Sequence, residues 1–280
     1  MNVETFNYSL ESLAPFFYLN KRDRKNIYIF STEKEALEFY NNFSNFVPEA
    51  SHFPAWDTLS YDSFTPSLEI QGKRLQTLHN LLVMESFDIA MSMKSFTQKI
   101  FINDLDVIDM QIGQEVDFEN LIENLAFLRY VNKDRVESRG TFSIRGGQID
   151  IYPLNSEYPI RIIFNGDEVV ELKLFDYITQ RSIKNIKKVL ITPSSELFQT
   201  NQEDIYKSLE IESKKDLDEY ELFQFSQNLE NFKSLLDFVP DDISINIIDF
   251  NSCKEVFSEL QKIEDDSFNN LQKFFSLNVS

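Results

Sequence analysis

The sequence predicts an α/β domain on a parallel sheet, interrupted by an inserted α+β domain. Three observations carry this reading. Apolar, strand-like runs alternate with helical patterns from Asn26 to Met93. From about Tyr130 to Ile191 the chain reads as nearly all strand joined by tight turns. Strand followed by helix then returns between Ile243 and Ile263. The expected division is 1–104 for the first segment of the α/β domain, 105–192 for the insert and 193–280 for an acidic return segment.

The elements follow in order. Asn26-Ile27-Tyr28-Ile29-Phe30 is a short apolar run suited to a buried strand. Ser31-Thr32-Glu33-Lys34-Glu35 supplies a capping-type start for a helix carrying Ala36, Leu37, Phe39, Tyr40 and Phe43 at helical spacing. A second helix is expected from Leu68 to Leu82, with Leu75, Leu78, Leu81 and Leu82 on one side. Asp88 to Met93 reads as the next buried strand. In the insert, Val107–Ile112 is a strand, and Asp117 caps a helix running to about Tyr130. A hairpin follows, with Ile160, Ile162 and Phe164 facing Val170, Leu172 and Leu174. A two-residue turn at Asn165-Gly166 would split these six between two faces. A three-residue loop containing Gly166 keeps them together, as burial requires. That register sets Arg161 directly or diagonally across from Glu171 on the polar face.

Composition sets limits on function. The 280-residue chain carries a formal charge of −19, which argues against a general nucleic-acid binder. From Val131 to Lys188 there are ten Lys/Arg against eight Asp/Glu, a net of +2, so the rest carries −21. From Gln199 onward, seven positive residues face 18 negative ones. The insert is thus a near-neutral island in an acidic chain. The single cysteine, Cys253, excludes an internal disulfide; with no run of 18 apolar residues and an acidic, polar N-terminus, a cytoplasmic chain with no membrane partner is expected. Two histidines, His52 and His79, and one cysteine are too few for a metal cluster of ordinary spacing, and no cofactor is expected.

Three blocks of residues resemble a known family. Phe53-Pro54-Ala55-Trp56-Asp57-Thr58-Leu59-Ser60-Tyr61-Asp62-Ser63-Phe64-Thr65-Pro66, followed by Glu69, Arg74 and Leu75, is the first. Arg145-Gly146-Gly147-Gln148-Ile149-Asp150-Ile151-Tyr152-Pro153 is the second; Phe175-Asp176 with Thr179-Gln180-Arg181-Ser182 is the third. Their order and spacing are similar to the N-terminal region of bacterial transcription-repair coupling factors. The resemblance covers roughly residues 20–200 and the acidic tail only loosely. It implies a region akin to the repair protein UvrB: a degenerate nucleotide-binding-like (P-loop-type) α/β domain interrupted by a UvrB-domain-2-like insert that binds the damage sensor UvrA. Family proteins continue into an RNA polymerase-binding domain and a DNA-translocating ATPase motor. This chain lacks both and is expected to be a truncated N-terminal region.

Three functional readings compete. Nucleotide hydrolysis needs a glycine-rich loop followed by Lys and Ser/Thr. The matching region before Asn26 has no glycine, since all six lie after residue 71, so no catalysis is expected. DNA binding through Trp56, Tyr61 and Phe64 would need basic neighbours, yet Asp57, Asp62 and Glu69 surround them, so they read as packing residues. Partner binding is the strongest. By the resemblance, Arg145 and Arg161 fall on two interface arginines, and a following aromatic position falls on Asn165 or, by a one-residue shift, on Phe164. Both guanidinium groups are expected to be largely open to solvent, so that truncating Arg161 costs the fold only about 0–1 kcal/mol. Arg161 paired with Glu171 as a structural residue is the alternative, and Arg181 reads as serving the turn at Asp176. A purely structural or autoinhibitory role, restraining the motor without binding UvrA, is the runner-up.

Overall fold

A computed structural model describes residues 25–58, 65–100, 102, 105–197, 203, 233–239 and 243–263. Its elements are β1 (Lys25–Phe30), α1 (Glu33–Phe43), β2 (Ser51–Phe53), α2 (Leu68–Val83), β3 (Phe87–Ser92), α3 (Met93–Thr97), β4 (Ile108–Gln111) and α4 (Phe118–Phe127). The strands β5 (Val131–Asn132), β6 (Thr141–Ile144), β7 (Gln148–Ile151), β8 (Ile160–Asn165), β9 (Glu168–Phe175), β10 (Ser182–Ile186) and β11 (Lys188–Ile191) follow. A 3-10 turn (Leu235–Asp237), β12 (Ser244–Ile247) and a helix α5 over 250–263 come last. These elements form two compact units. One is divided along Met1–Pro66, Thr77–Phe101 and Thr200–Ser280, the other along Ser67–Gln76 and Ile102–Gln199.

The first unit holds a four-stranded sheet in the order β12-β1-β3-β2, with every pair parallel. Ile27 to Phe30 and all of β3 are buried, as a parallel sheet covered on both faces requires. The start of α1 follows from its sequence. Glu35 N–H donates to Thr32 Oγ1 at 3.3 Å, and Thr32 N–H donates back to Glu35 Oε2 at 3.1 Å. Ala36, Phe39 and Phe43 then face inward, and the Phe39 ring lies 5.0 Å from both Tyr28 and Phe30. The strand read as Asp88–Met93 instead begins at Phe87 and stops at Ser92. Ser92 caps α3 with its own hydroxyl, which turns Met93 into a helical residue. In α2, Leu75, Leu78 and Leu81 are buried, but Leu82 is 48% exposed and leaves the apolar stripe. Trp56 packs inside, its backbone N–H donating to Gln98 Oε1, while Tyr61 and Phe64 lie outside the described residues.

The second unit is a six-stranded sheet in the order β10-β9-β8-β7-β6-β5, with β4 and β11 paired beside it. Asp117 caps α4 as expected, accepting from Asn120 N–H at 2.8 Å. The helix ends at Phe127, short of Tyr130, because Arg129 takes a left-handed conformation at φ 66°. The β8–β9 hairpin corrects the loop expected from sequence. Its loop is the two-residue Gly166-Asp167, with Gly166 at φ +63°. A β-bulge supplies the odd offset instead: Ile163 faces Glu171 and Phe164 faces Val169, leaving Val170 extra. Val169 rather than Val170 therefore joins Ile160, Ile162, Phe164 and Leu172 on the buried face.

The first turns of α2 belong to this second unit, and two buried contacts anchor them. Arg74 Nε donates to Glu196 Oε1 at 2.7 Å, and Glu196 N–H donates to Gln71 Oε1 at 2.9 Å. Gly72 meets the Leu154 backbone so closely that an added Cβ would stand 2.6 Å from its carbonyl carbon, and nearer still to the oxygen. Gly72→Ala should therefore lower stability by about 2 kcal/mol or more, because overpacking against rigid backbone outweighs the helix propensity gained. Urea unfolding of the purified chain checks this, and an unchanged midpoint would refute the close approach.

Candidate protein-interaction surface

Pairing register sorts the side chains of the six-stranded sheet. Phe142, Ile151, Ile160 and Leu174 align across four strands, as do Ile144, Ile149, Ile162 and Leu172. These rows make the core face. The opposite face carries the row Ser143, Asp150, Arg161 and Lys173, flanked by Gln148, Ile163 and Glu171. Strand alternation thus puts the polar and charged residues of β7, β8 and β9 together.

Arg145 opens the β6–β7 turn. Its N–H donates to the Gln148 carbonyl at 2.9 Å, and Gln148 N–H donates back at 3.2 Å, with Gly146 at φ +59° making the bend. The side chain is exposed, and Nη2 donates to the Asp134 carbonyl at 2.8 Å. This is the open guanidinium that the sequence predicts.

Arg161 is different. Glu171 does lie diagonally across from it, but the two do not pair: Glu171 takes Lys173 instead. Arg161 Nε and Nη2 each donate at 2.8 Å to the two oxygens of Asp150, directly opposite on β7. The guanidinium also lies over the Phe175 ring, 4.7 Å from its centroid. Asp150 is 2% exposed, and Gln148 Nε2 donates to its Oδ1 at 3.0 Å. The Arg161 side chain is 17% exposed, so the expectation of a largely open group gives way to one held along its inner edge. The carboxylate hydrogen bonds raise the Arg161 pKa further above its ordinary value and keep it charged.

Phe164 and Asn165 fall on opposite faces. The Phe164 ring is buried edge-on against Phe118 at 5.1 Å, within the core. Asn165 is exposed on the same side as Arg161 but has no ring. At the turn after β9, Asp176 Oδ1 accepts from Ile178 N–H, Thr179 N–H and Thr179 Oγ1, and Asp176 N–H donates to the Arg181 carbonyl. The exposed Arg181 thus helps to close this turn through its backbone.

Sequence reasoning missed Asp150, Gln148 and Phe175. A signal was present, since Gln148 and Asp150 alternate with apolar Ile149 and Ile151, which marks a shared polar face. Among the described residues, no group of three or more His, Cys, Asp and Glu side chains is placed to hold a metal. Cys253 is buried, and burial, aided by nearby Asp249, pushes its thiol up to about 11, so it stays protonated at neutral pH. No helix of the described residues is long and apolar enough to cross a membrane.

Comparison with known proteins adds a family context to this geometry. Residues 108–197 match the UvrB interaction domain. Over 168 residues, 58% of this chain, it is 29% identical to the transcription-repair-coupling factor of Escherichia coli, 14% of whose length is matched. The factor of Staphylococcus aureus is 26% identical over 268 residues, 84% of this chain and 22% of the relative. That of Bacillus subtilis is 26% identical over 252 residues, 78% of this chain and 21% of the relative. The chain therefore spans under a quarter of these relatives. Residues 108–197 are similar to a UvrB interaction domain, and the chain resembles the N-terminal region of a transcription-repair-coupling factor.

Proposed function

We propose that this chain, related to the N-terminal region of transcription-repair-coupling factors, is a non-catalytic adaptor that recruits UvrA to stalled RNA polymerase in transcription-coupled nucleotide excision repair. The α/β part, 1–104 with 193–280, is a degenerate nucleotide-binding-like domain, except that 67–76 and 193–199 pack within the unit of the insert, and 105–192 is the UvrA-interaction insert. In this reading polymerase and DNA are bound by parts of the relatives that this chain does not span, and the chain works in the cytoplasm without membrane, nucleotide or direct nucleic-acid contact. The stretch before Asn26, where a phosphate loop would stand, lies outside the described residues. The first turn of α1 supports the reading, because Glu33 and Glu35 there repel an anion.

One observation carries the proposal: exposed Arg145 and the held Arg161 share one face of the UvrB interaction domain. Planar guanidinium forks suit carboxylates on a protein partner. Asn165 contributes at the rim, and Phe164 supports the strand from below. Arg145→Ala should weaken UvrA capture by about 2 kcal/mol or more, the usual hot-spot threshold, with an unchanged melting temperature. Pull-down of purified UvrA with wild-type and mutant chains tests it, and full capture by Arg145→Ala would defeat the interface. The contact of Arg161 with its own Asp150 and Phe175 favours the second reading, a structural or autoinhibitory domain with no significant UvrA binding.

A further inference from the structure

We propose that Asp150 is a positioning residue for partner recognition: it fixes the Arg161 fork so that the outer edge of the guanidinium is presented to a carboxylate of an acidic protein surface. The inference rests on the adaptor reading and deepens it. A guanidinium has five N–H donors. Asp150 takes one from Nε and one from Nη2, both at 2.8 Å, which uses the side edge only. Nη1 and the second Nη2 proton make up the end edge, and that edge has the spacing for a second bidentate carboxylate. Phe175 lies against the flat face at 4.7 Å and Gln148 Nε2 holds Asp150 Oδ1, so the plane of the group is set from below and from the side. The side chain is 17% exposed, enough for one edge to meet solvent.

The two arginines then do different work. The pair of Arg161 with Asp150 is close to neutral, so it supplies aim with little long-range attraction. Arg145 bonds a backbone carbonyl, keeps its full charge, and supplies the pull toward an acidic partner. Loss of Asp150 would leave the long Arg161 side chain to be ordered at binding, a cost that shortens the lifetime of the complex.

The test uses the 280-residue chain and purified UvrA, with association and dissociation rates read separately. Asp150→Asn should raise the dissociation rate about tenfold without slowing association. Arg145→Ala should slow association and reduce its salt dependence. In an Arg161→Ala background, adding Asp150→Asn should produce no further change. If Asp150→Asn fails to fold, Arg161→Lys carries the test, because it keeps the charge and loses the fork. A wild-type dissociation rate for either variant overturns the proposal, as does an equal effect of Asp150→Asn with and without Arg161. Should Arg161→Ala abolish binding while Asp150→Asn leaves it intact, the positioning role alone is wrong. If Arg145→Ala and Arg161→Ala both bind normally, the interface itself is wrong and Asp150 falls with it.

Discussion

Arg74→Ala should destabilise the chain by about 3–5 kcal/mol, the largest effect expected of any single substitution in the second unit. Arg74 is fully buried and Glu196 is 1% exposed, with 2.7 Å between Nε and Oε1. Removing the arginine takes away the countercharge of a carboxylate held out of water, whose residue is fixed in place by its backbone N–H donating to Gln71 Oε1. Glu196→Ala should cost a similar amount for the mirrored reason. Replacing both by packed apolar residues, Arg74→Met with Glu196→Leu, should recover most of the loss, because a buried pair stabilises little over a well-filled apolar site. Urea midpoints for the three variants decide it. A loss below about 1 kcal/mol for Arg74→Ala would mean that water reaches the pair.

This pair also marks a limit of reading sequence. Arg74 stands in a recognisable block, but its partner lies 122 residues later, and nothing local in Ser194-Ser195-Glu196 announces it. The start of α1 was legible for the opposite reason: its capping box closes within three residues, so the whole interaction is written in Thr32 to Glu35. The parallel sheet was legible because β1 and β3 are short, largely apolar and buried runs; its closing strand β12, Ser244-Ile245-Asn246-Ile247, returns after the insert with polar and apolar residues alternating, as suits a less buried edge. The hairpin lies between these cases. Hydrophobic register demanded one odd residue, and that demand was correct. A longer loop and a bulge satisfy it equally, so sequence alone could not choose between them. The choice decides whether Val169 or Val170 is buried.

The candidate surface shows the same division. Alternation separates Phe164 from Asn165, and the ring belongs to the core with Phe118 while the amide faces out. Arg145 was readable because a Gly-Gly turn with no carboxylate beside it leaves an arginine little to do internally. Arg161 was not, since its partner depends on which strand lies on its other side. Glu171, on the sequence-adjacent strand, was the visible candidate; Asp150, on β7, is the actual one.

Arg161→Ala should therefore lower stability by about 2–4 kcal/mol, more than an exposed pair with Glu171 would have implied. The mutation removes the countercharge of Asp150, which is 2% exposed in the intact site and keeps the Gln148 amide hydrogen bond, and it strips the cation from the Phe175 face. The range sits below that of a wholly buried pair because the arginine side chain still touches solvent. Lost stability alone would confuse any binding measurement, since a partly unfolded chain captures nothing. The double variant Arg161→Ala with Asp150→Ala separates the two effects. With neither charge present, the site loses its stranded carboxylate and should regain most of the stability. The fork is still missing, so UvrA capture should stay weak at a temperature where the double variant is fully folded. A double variant that is stable and binds like wild type would reduce Arg161 to a structural residue, leaving Arg145 as the sole arginine of the surface.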